Sequence, residues 1–446
     1  MPLPNYRPYL CALALLFVLP GCFTRSQMNT RLSHYDPKAG YRYENLTPGP
    51  GNSDELLVIL TFSGGGTRAA AFSYGVLEKL RDTPITWGGE TRSLLDEVDV
   101  ISSVSGGSLP SATYGLYGEE IFDFFPEEVL YNDIQRRLIR SVLHIKNYPR
   151  LASSYYGRSD MLAKDFDRFI QEKTFDDFLQ RGTRPFIIMN TTDLAQGNQF
   201  AFVQDNFDYL YSDLGTYPVS RAMAASAAVP GLLSPIALHN FEQGEDYTRP
   251  AWISDALSNG EQGSPLHALA SDTNAYLSPK YKYMHLVDGG VSDNLGLLPV
   301  IQSVLNAPGP LPTREAIAQR GTKKVIIITV NAKSELTNDF NIREKVSSIF
   351  QVIGIAASAP MDDFTQAQIA YMHLLIKNME DERAHRDEMR RLIRENKLDN
   401  TLEASSVDQV DYDFIEVSFE QMKDYSERKY LLGLPTSFAL TSEQVD

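Results

Sequence analysis

Apolar positions along the chain gather in strand-length runs, each closed by small or turn-forming residues. The first is Leu56-Leu57-Val58-Ile59-Leu60-Thr61-Phe62; glycines follow it, then a helix-like stretch as far as Arg81. This reads as strand, tight turn and helix. The order recurs at Val98-Asp99-Val100-Ile101-Ser102-Ser103, ahead of Val104-Ser105-Gly106-Gly107 and a small-residue segment over 108–115. Residues 185–190 (PFIIMN), 284–287 and 324–330 (KVIIITV) supply further buried strands, the last an unbroken run of β-branched residues after Lys324. Repeated strand–turn–helix units predict an α/β fold: a mostly parallel central sheet covered by helices on both faces, with a helical cap and C-terminal helical additions.

Between these units the pattern changes. Residues 119–179 are helix-rich, aromatic and charged, which breaks the short-loop rhythm of such folds and predicts a cap over the site. Residues 240–282 are long and polar with few strand or helix signals, which predicts a lid or mobile loop. The core is therefore expected at 56–330, closed by a helical extension at 331–446 with densely charged helices over 363–397 and a strand at 414–419. Residues 23–55 are polar, turn-rich and aperiodic, which predicts a tether.

Residues 10–19 (LCALALLFVL) form an apolar run behind a single cation, Arg7. The run is too short to span a bilayer and suits a signal-peptide core. It ends in Leu19-Pro20-Gly21-Cys22, which resembles the bacterial lipobox. That resemblance implies that 1–22 is a lipoprotein signal and that Cys22 carries lipid as the new N-terminus. A plain secretory signal or an uncleaved anchor is the alternative. Cys11 would leave with the signal, so the mature chain would hold no disulfide. Phe23, standing where Asp would retain a lipoprotein at the inner membrane, implies a lipid-anchored place in the bacterial cell envelope, at the outer membrane.

With 446 residues, 43% of them hydrophobic, the chain can bury a sizeable core without disulfides. Its net charge of -16 argues against nucleic acid as a partner, because phosphate neutralisation needs clustered Lys and Arg. The same number argues against membrane attachment through a polybasic patch, which leaves the lipid anchor to hold it. Nothing in the sequence identifies a protein partner.

Three motifs carry candidate chemistry, each at the end of a predicted strand, where open α/β sheets place their sites. Ser103-Val104-Ser105-Gly106-Gly107 fits a nucleophile elbow, in which a serine held in a strained turn is flanked by small residues; a Gly-rich loop that only packs helix against sheet is the alternative. Ser63-Gly64-Gly65-Gly66-Thr67-Arg68 leaves backbone N–H groups unobstructed to cradle an oxyanion or phosphate, with a cation beside them. Gly64, Gly66 and Ala69 also match a dinucleotide fingerprint, but Asp99 lies within the next strand and not after it. No G-K-[ST] follows, so a nucleoside-triphosphate loop is excluded. Asp288-Gly289-Gly290 places a carboxylate at a strand end beside two glycines, where a capped turn is the alternative.

In this order, G-G-G-x-R, serine elbow and D-G-G, the motifs resemble the patatin-like phospholipase family, over roughly 57–330. Residues 185–197 (PFIIMNTTDLAQG) and 220–230 (SRAMAASAAVP) look like the family's intervening strand and small-residue helix. The resemblance implies a serine acyl-hydrolase acting on phospholipid or other fatty-acyl esters, with Ser105 as nucleophile, Asp288 as base, and Gly64, Gly65, Gly66 and Arg68 as the oxyanion site. It implies no cofactor and no metal, and no histidine cluster has metal-ligand spacing. A Ser-His-Asp triad would have to use His373 or His385, the histidines that follow Asp288. A lipid-binding protein without turnover remains the other reading.

Overall fold

The computed structural model describes residues 28–151, 156–335, 349–395 and 409–446. At its centre is a sheet of β1 (Leu56–Phe62), β2 (Val98–Val104), β3 (Phe186–Asp193), β4 (Gln199–Ala201), β5 (Ile236–His239), β6 (Tyr283–Asp288), β7 (Lys324–Asn331) and β8 (Asp411–Ser418). They lie side by side as β8-β7-β1-β2-β3-β6-β5, with β4 also paired to β3. From β8 through β3 every pairing is parallel. Strand β6 runs antiparallel to both β3 and β5, and β4 antiparallel to β3. Every residue of β1, β2 and β3 is buried, as parallel strands covered on both faces require.

Helix α1 (Gly66–Arg81) links β1 to β2; it buries Ala70, Tyr74 and Leu77 along one stripe and ends with Lys79 and Arg81, whose charges complement the helix C-terminus. Helix α2 (Ser108–Tyr117) follows β2. The described residues of the 119–179 region are mostly helical, and among them are α3 (Ile134–Leu143) and α4 (Arg158–Ile170), the latter packed along α5 (Val219–Ser226).

Three boundaries differ from the sequence expectation. The expected tether is docked over its described length: Asn29 bonds Ser212 and the backbone of His239, and Tyr41 is fully buried among Phe175, Phe178 and Phe186. The Arg42 guanidinium, itself buried, pairs with Asp205 at 2.6 Å and Asp208 at 2.5 Å. Single tyrosines anchor this segment, so no apolar periodicity announces it. The 240–282 region, expected to be a lid or loop, contains two helices, α6 (Ala251–Asn259) and α7 (Pro265–Tyr276), with a small core of Ile253, Ala256 and Ala270. Ser264 caps α7 through the His267 N–H, and Pro265 occupies its first turn. The C-terminal extension does more than close the core: β8 is a strand of the central sheet, paired with β7 over its whole length. Helix α8 (Ile349–Glu395) carries the expected dense charges, braced by pairs such as Arg390–Asp387 and Arg391–Glu388, while Ile369, Met372 and Ile376 face the core.

Candidate active site

The turn after β2 is a nucleophile elbow by its backbone. Ser105 has φ +51°, a left-handed conformation that costs a residue other than glycine roughly 1–3 kcal/mol unless its surroundings hold it there. They do. The Ser105 N–H donates to Ser226 Oγ at 2.8 Å, and Ser226, the last residue of α5, donates in turn to Asn190 O at 2.7 Å. A Cβ on Gly106 would overlap the Gly66 carbonyl, so the elbow and the glycine turn after β1 pack backbone against backbone.

Asp288 arrives from a strand of opposite direction. Val104 pairs with Asn190 and Asp288 with Thr191, so the ends of β2 and β6 reach the same level of the sheet from either side of β3. Ser105 Oγ donates to Asp288 Oδ2 at 2.9 Å, while Asp288 Oδ1 accepts the Gly290 N–H at 2.8 Å. Both residues are 5% exposed. Burial without a neighbouring cation pushes the Asp288 carboxyl up to about 6, against the two hydrogen bonds that oppose the shift.

The glycine turn divides the roles expected of it. The Gly64 N–H is already bonded to Asn294 O at 3.0 Å, so it is not free to receive an oxyanion, and a Cβ on Gly64 would overlap Asn294 Oδ1 while lying in contact with the Ser105 side chain. The N–H groups of Gly65 and Gly66 have no partner among the described residues. Arg68 is turned to a different task from the one expected. It is buried, and its guanidinium donates to Ala332 O at 2.9 Å and Leu434 O at 2.7 Å. Burial brings it down to about 10, so it stays charged at neutral pH and clamps the glycine turn to the C-terminal segment. Thr67 N–H donates to Ser437 O at 2.7 Å in the same contact. A Cβ on Gly66, whose φ is +62°, would overlap Ser437 O. Gly66→Ala is therefore expected to lower unfolding stability by about 1–3 kcal/mol, read by chemical denaturation; unchanged stability would mean that the C-terminal strap does not brace this turn.

The histidines of the alternative triad are elsewhere: His373 packs edge-on against Phe414, and His385 meets Asp381 O within α8. Ser226 and Asn294 were not singled out by the sequence. Ser226 ends the helical part of the small-residue segment noted above, and Asn294 stands six residues beyond Asp288 with its side-chain oxygen against Gly64 and Gly290. Asp293 fixes the same loop by accepting the Leu297 and Leu298 N–H groups and Gln368 of α8. A cavity of about 630 Å³ lies apart from this site, lined by α7 and residues 308–313 among others, and neither Ser105 nor Asp288 borders it.

The family model of the patatin-like phospholipases matches residues 60–301, more than half of the chain, and the match takes in the glycine turn, Ser105 and Asp288. The chain belongs to the patatin-like phospholipase family. Among solved structures, this patatin-like chain is similar to human GIVD cytosolic phospholipase A2, with 14% identity and a TM-score of 0.29, covering 68% of the present chain and 48% of the human one. It is also similar to VipD from Legionella pneumophila, with 12% identity and a TM-score of 0.28, covering 96% and 72% of the two chains. The chain thus spans about half the length of the human enzyme. No curated protein matches it.

Proposed function

We propose that this patatin-like protein is a serine acyl-hydrolase that cleaves fatty-acyl ester bonds of phospholipids or other lipids through a Ser105–Asp288 dyad. The observation that carries the reading is the 2.9 Å hydrogen bond from Ser105 Oγ to a buried carboxylate made more basic by its burial. Asp288 takes the Ser105 proton as Oγ attacks the acyl carbonyl. The tetrahedral oxyanion is received by the free N–H groups of Gly65 and Gly66 at the start of α1, whose dipole favours negative charge there. Collapse expels the alcohol, which takes the proton from Asp288 and leaves Ser105 acylated. Water, deprotonated by Asp288, then releases the fatty acid and restores the serine.

The test is hydrolysis of acyl esters and mixed phospholipids by the full chain, together with mass-spectrometric mapping of the residue that a fluorophosphonate modifies. Release of fatty acid with the label on Ser105 is the expected result. Retention of lipid without release from any ester would instead mark a lipid-binding protein.

The membrane address rests on the sequence alone, because Cys22 and the apolar run before it lie outside the described residues. No helix among the described residues is long and apolar enough to cross a membrane. The proposed anchor is lipid on Cys22, holding the enzyme in the bacterial cell envelope at the outer membrane. Metabolic labelling with a fatty acid is expected to mark the parent chain and to be lost in Cys22→Ser; label retained in the variant would remove the anchor assignment.

A further inference from the structure

The net charge of -16 conceals a local reversal. Between Ile134 and Leu151 the chain carries Arg136, Arg137, Arg140, Lys146 and Arg150 and no Asp or Glu. Helix α3 sorts them by face. Ile134 is buried and Leu138 packs against the core, while Arg137 pairs with Asp165 at 2.8 Å. Arg136, Ile139, Arg140 and Leu143, spaced i, i+3, i+4 and i+7, form the opposite, exposed face. Ile139 is 50% and Leu143 67% exposed, too much for a helix whose apolar positions serve only the core. Arg136, Arg140, Lys146 and Arg150 are in no ion pair among the described residues. At the C-terminal end of α3, Arg140 and Ser141 of the helix and His144, Lys146, Asn147 and Arg150 beyond it surround a shallow open basin of about 420 Å³.

We propose that this face seats the enzyme on an anionic phospholipid surface, with the basin taking a headgroup phosphate. Charge complementarity selects the partner: a basic face on an acidic protein is drawn to the one large surface of opposite sign that also accepts exposed Ile and Leu. The face is tied to the catalytic turn. Helix α4 packs on both α3 and α5, and the end of α5 holds the Ser105 N–H through Ser226. At the start of α4, Arg158 donates to Gly231 O at 3.2 Å and the Ser159 N–H to Ser234 Oγ at 3.2 Å. The loop so held carries Leu232, 57% exposed, a further apolar side chain at the surface beside the start of α4. The surface gives the proposed lipid hydrolase a docking face distinct from any anchor at Cys22.

The experiment measures flotation of the full chain, carrying Ser105→Ala so that no lipid is consumed, with phosphatidylcholine vesicles and with vesicles also containing phosphatidylglycerol. An anchor or leader contributes to both alike, and binding is read without catalysis. Partition onto the anionic vesicles is expected to exceed the neutral ones by about tenfold or more, at about fivefold per engaged cation, and to fall as salt is raised. The combined Arg140→Glu, Lys146→Glu and Arg150→Glu variant, whose changes are all at exposed positions, is expected to lose the preference with its melting unchanged. Leu143→Ser is expected to weaken partition while keeping the charge response. Equal partition of the parent onto the two vesicles, or a charge-reversed variant that keeps the preference, overturns the proposal.

Discussion

Ser105→Ala and Asp288→Asn are each expected to lower acyl-ester hydrolysis by about ten-thousand-fold or more, and the double variant to be no worse than either alone. The reason is the exclusiveness of the contact. Ser105 Oγ donates to Asp288 Oδ2 and to no other group, and neither His373 nor His385 is placed to replace the base. Losing either member therefore removes proton transfer and attack together, which makes the effects non-additive. Both substitutions leave the scaffold in place. Ser105→Ala keeps the backbone bond to Ser226 that holds the strained turn, and Asp288→Asn keeps a side-chain oxygen to accept the Gly290 N–H. Initial rates on a chromogenic ester, with melting temperature as the check on folding, decide the matter; a well-folded variant of either residue that retains a substantial share of the parent rate removes that residue from the dyad.

The parts of this site that the sequence displays are those whose chemistry is local. An all-apolar run followed by glycines identifies β1 and its turn because burial on both faces and close backbone approach each restrict composition at neighbouring positions. The run at 284–287 likewise marks β6, but its direction is not local information: that it lies antiparallel to β3 depends on pairing Asp288 with Thr191, far earlier in the chain. The role of Arg68 was hidden for the same reason. Beside three glycines it reads as a cation for an oxyanion, and only the return of the C-terminal segment, with Leu434 O and Ser437 O against the turn, shows what it binds. Ser226 belonged to a segment already conspicuous for its small residues, yet nothing in that composition marks which hydroxyl meets the elbow. The basic face of α3 was masked by averaging, since a whole-chain charge of -16 says nothing of a short stretch, 134–151, without acids.

The carboxyl of Asp288 ties activity and stability to pH with opposite signs. Because its burial pushes it up to about 6, the base is protonated and idle in acid, so kcat/KM is expected to rise about tenfold per pH unit up to about pH 6 and level off above it. For folding, a native value of about 6 against an ordinary 3.8 means that the native state holds its proton more tightly than the unfolded chain does. The stabilisation from this group is complete below about pH 3.8 and is lost as pH rises through about 6. At neutral pH the ionised, buried carboxylate therefore lowers stability, by on the order of 3 kcal/mol for a shift of this size. Asp288→Asn removes that burden while abolishing the base: it is expected to be inactive yet more stable than the parent near neutrality, with the advantage shrinking toward about pH 4. The comparison isolates this residue, because Asp99 and Asp208, also pushed up to about 6 by burial, titrate alike in both proteins. Denaturant titrations across the range, beside the pH–rate profile, test both signs at once. A rate that does not change through about pH 6, or an Asp288→Asn variant less stable than its parent at neutral pH, would mean that Asp288 is not the desolvated base this geometry makes it.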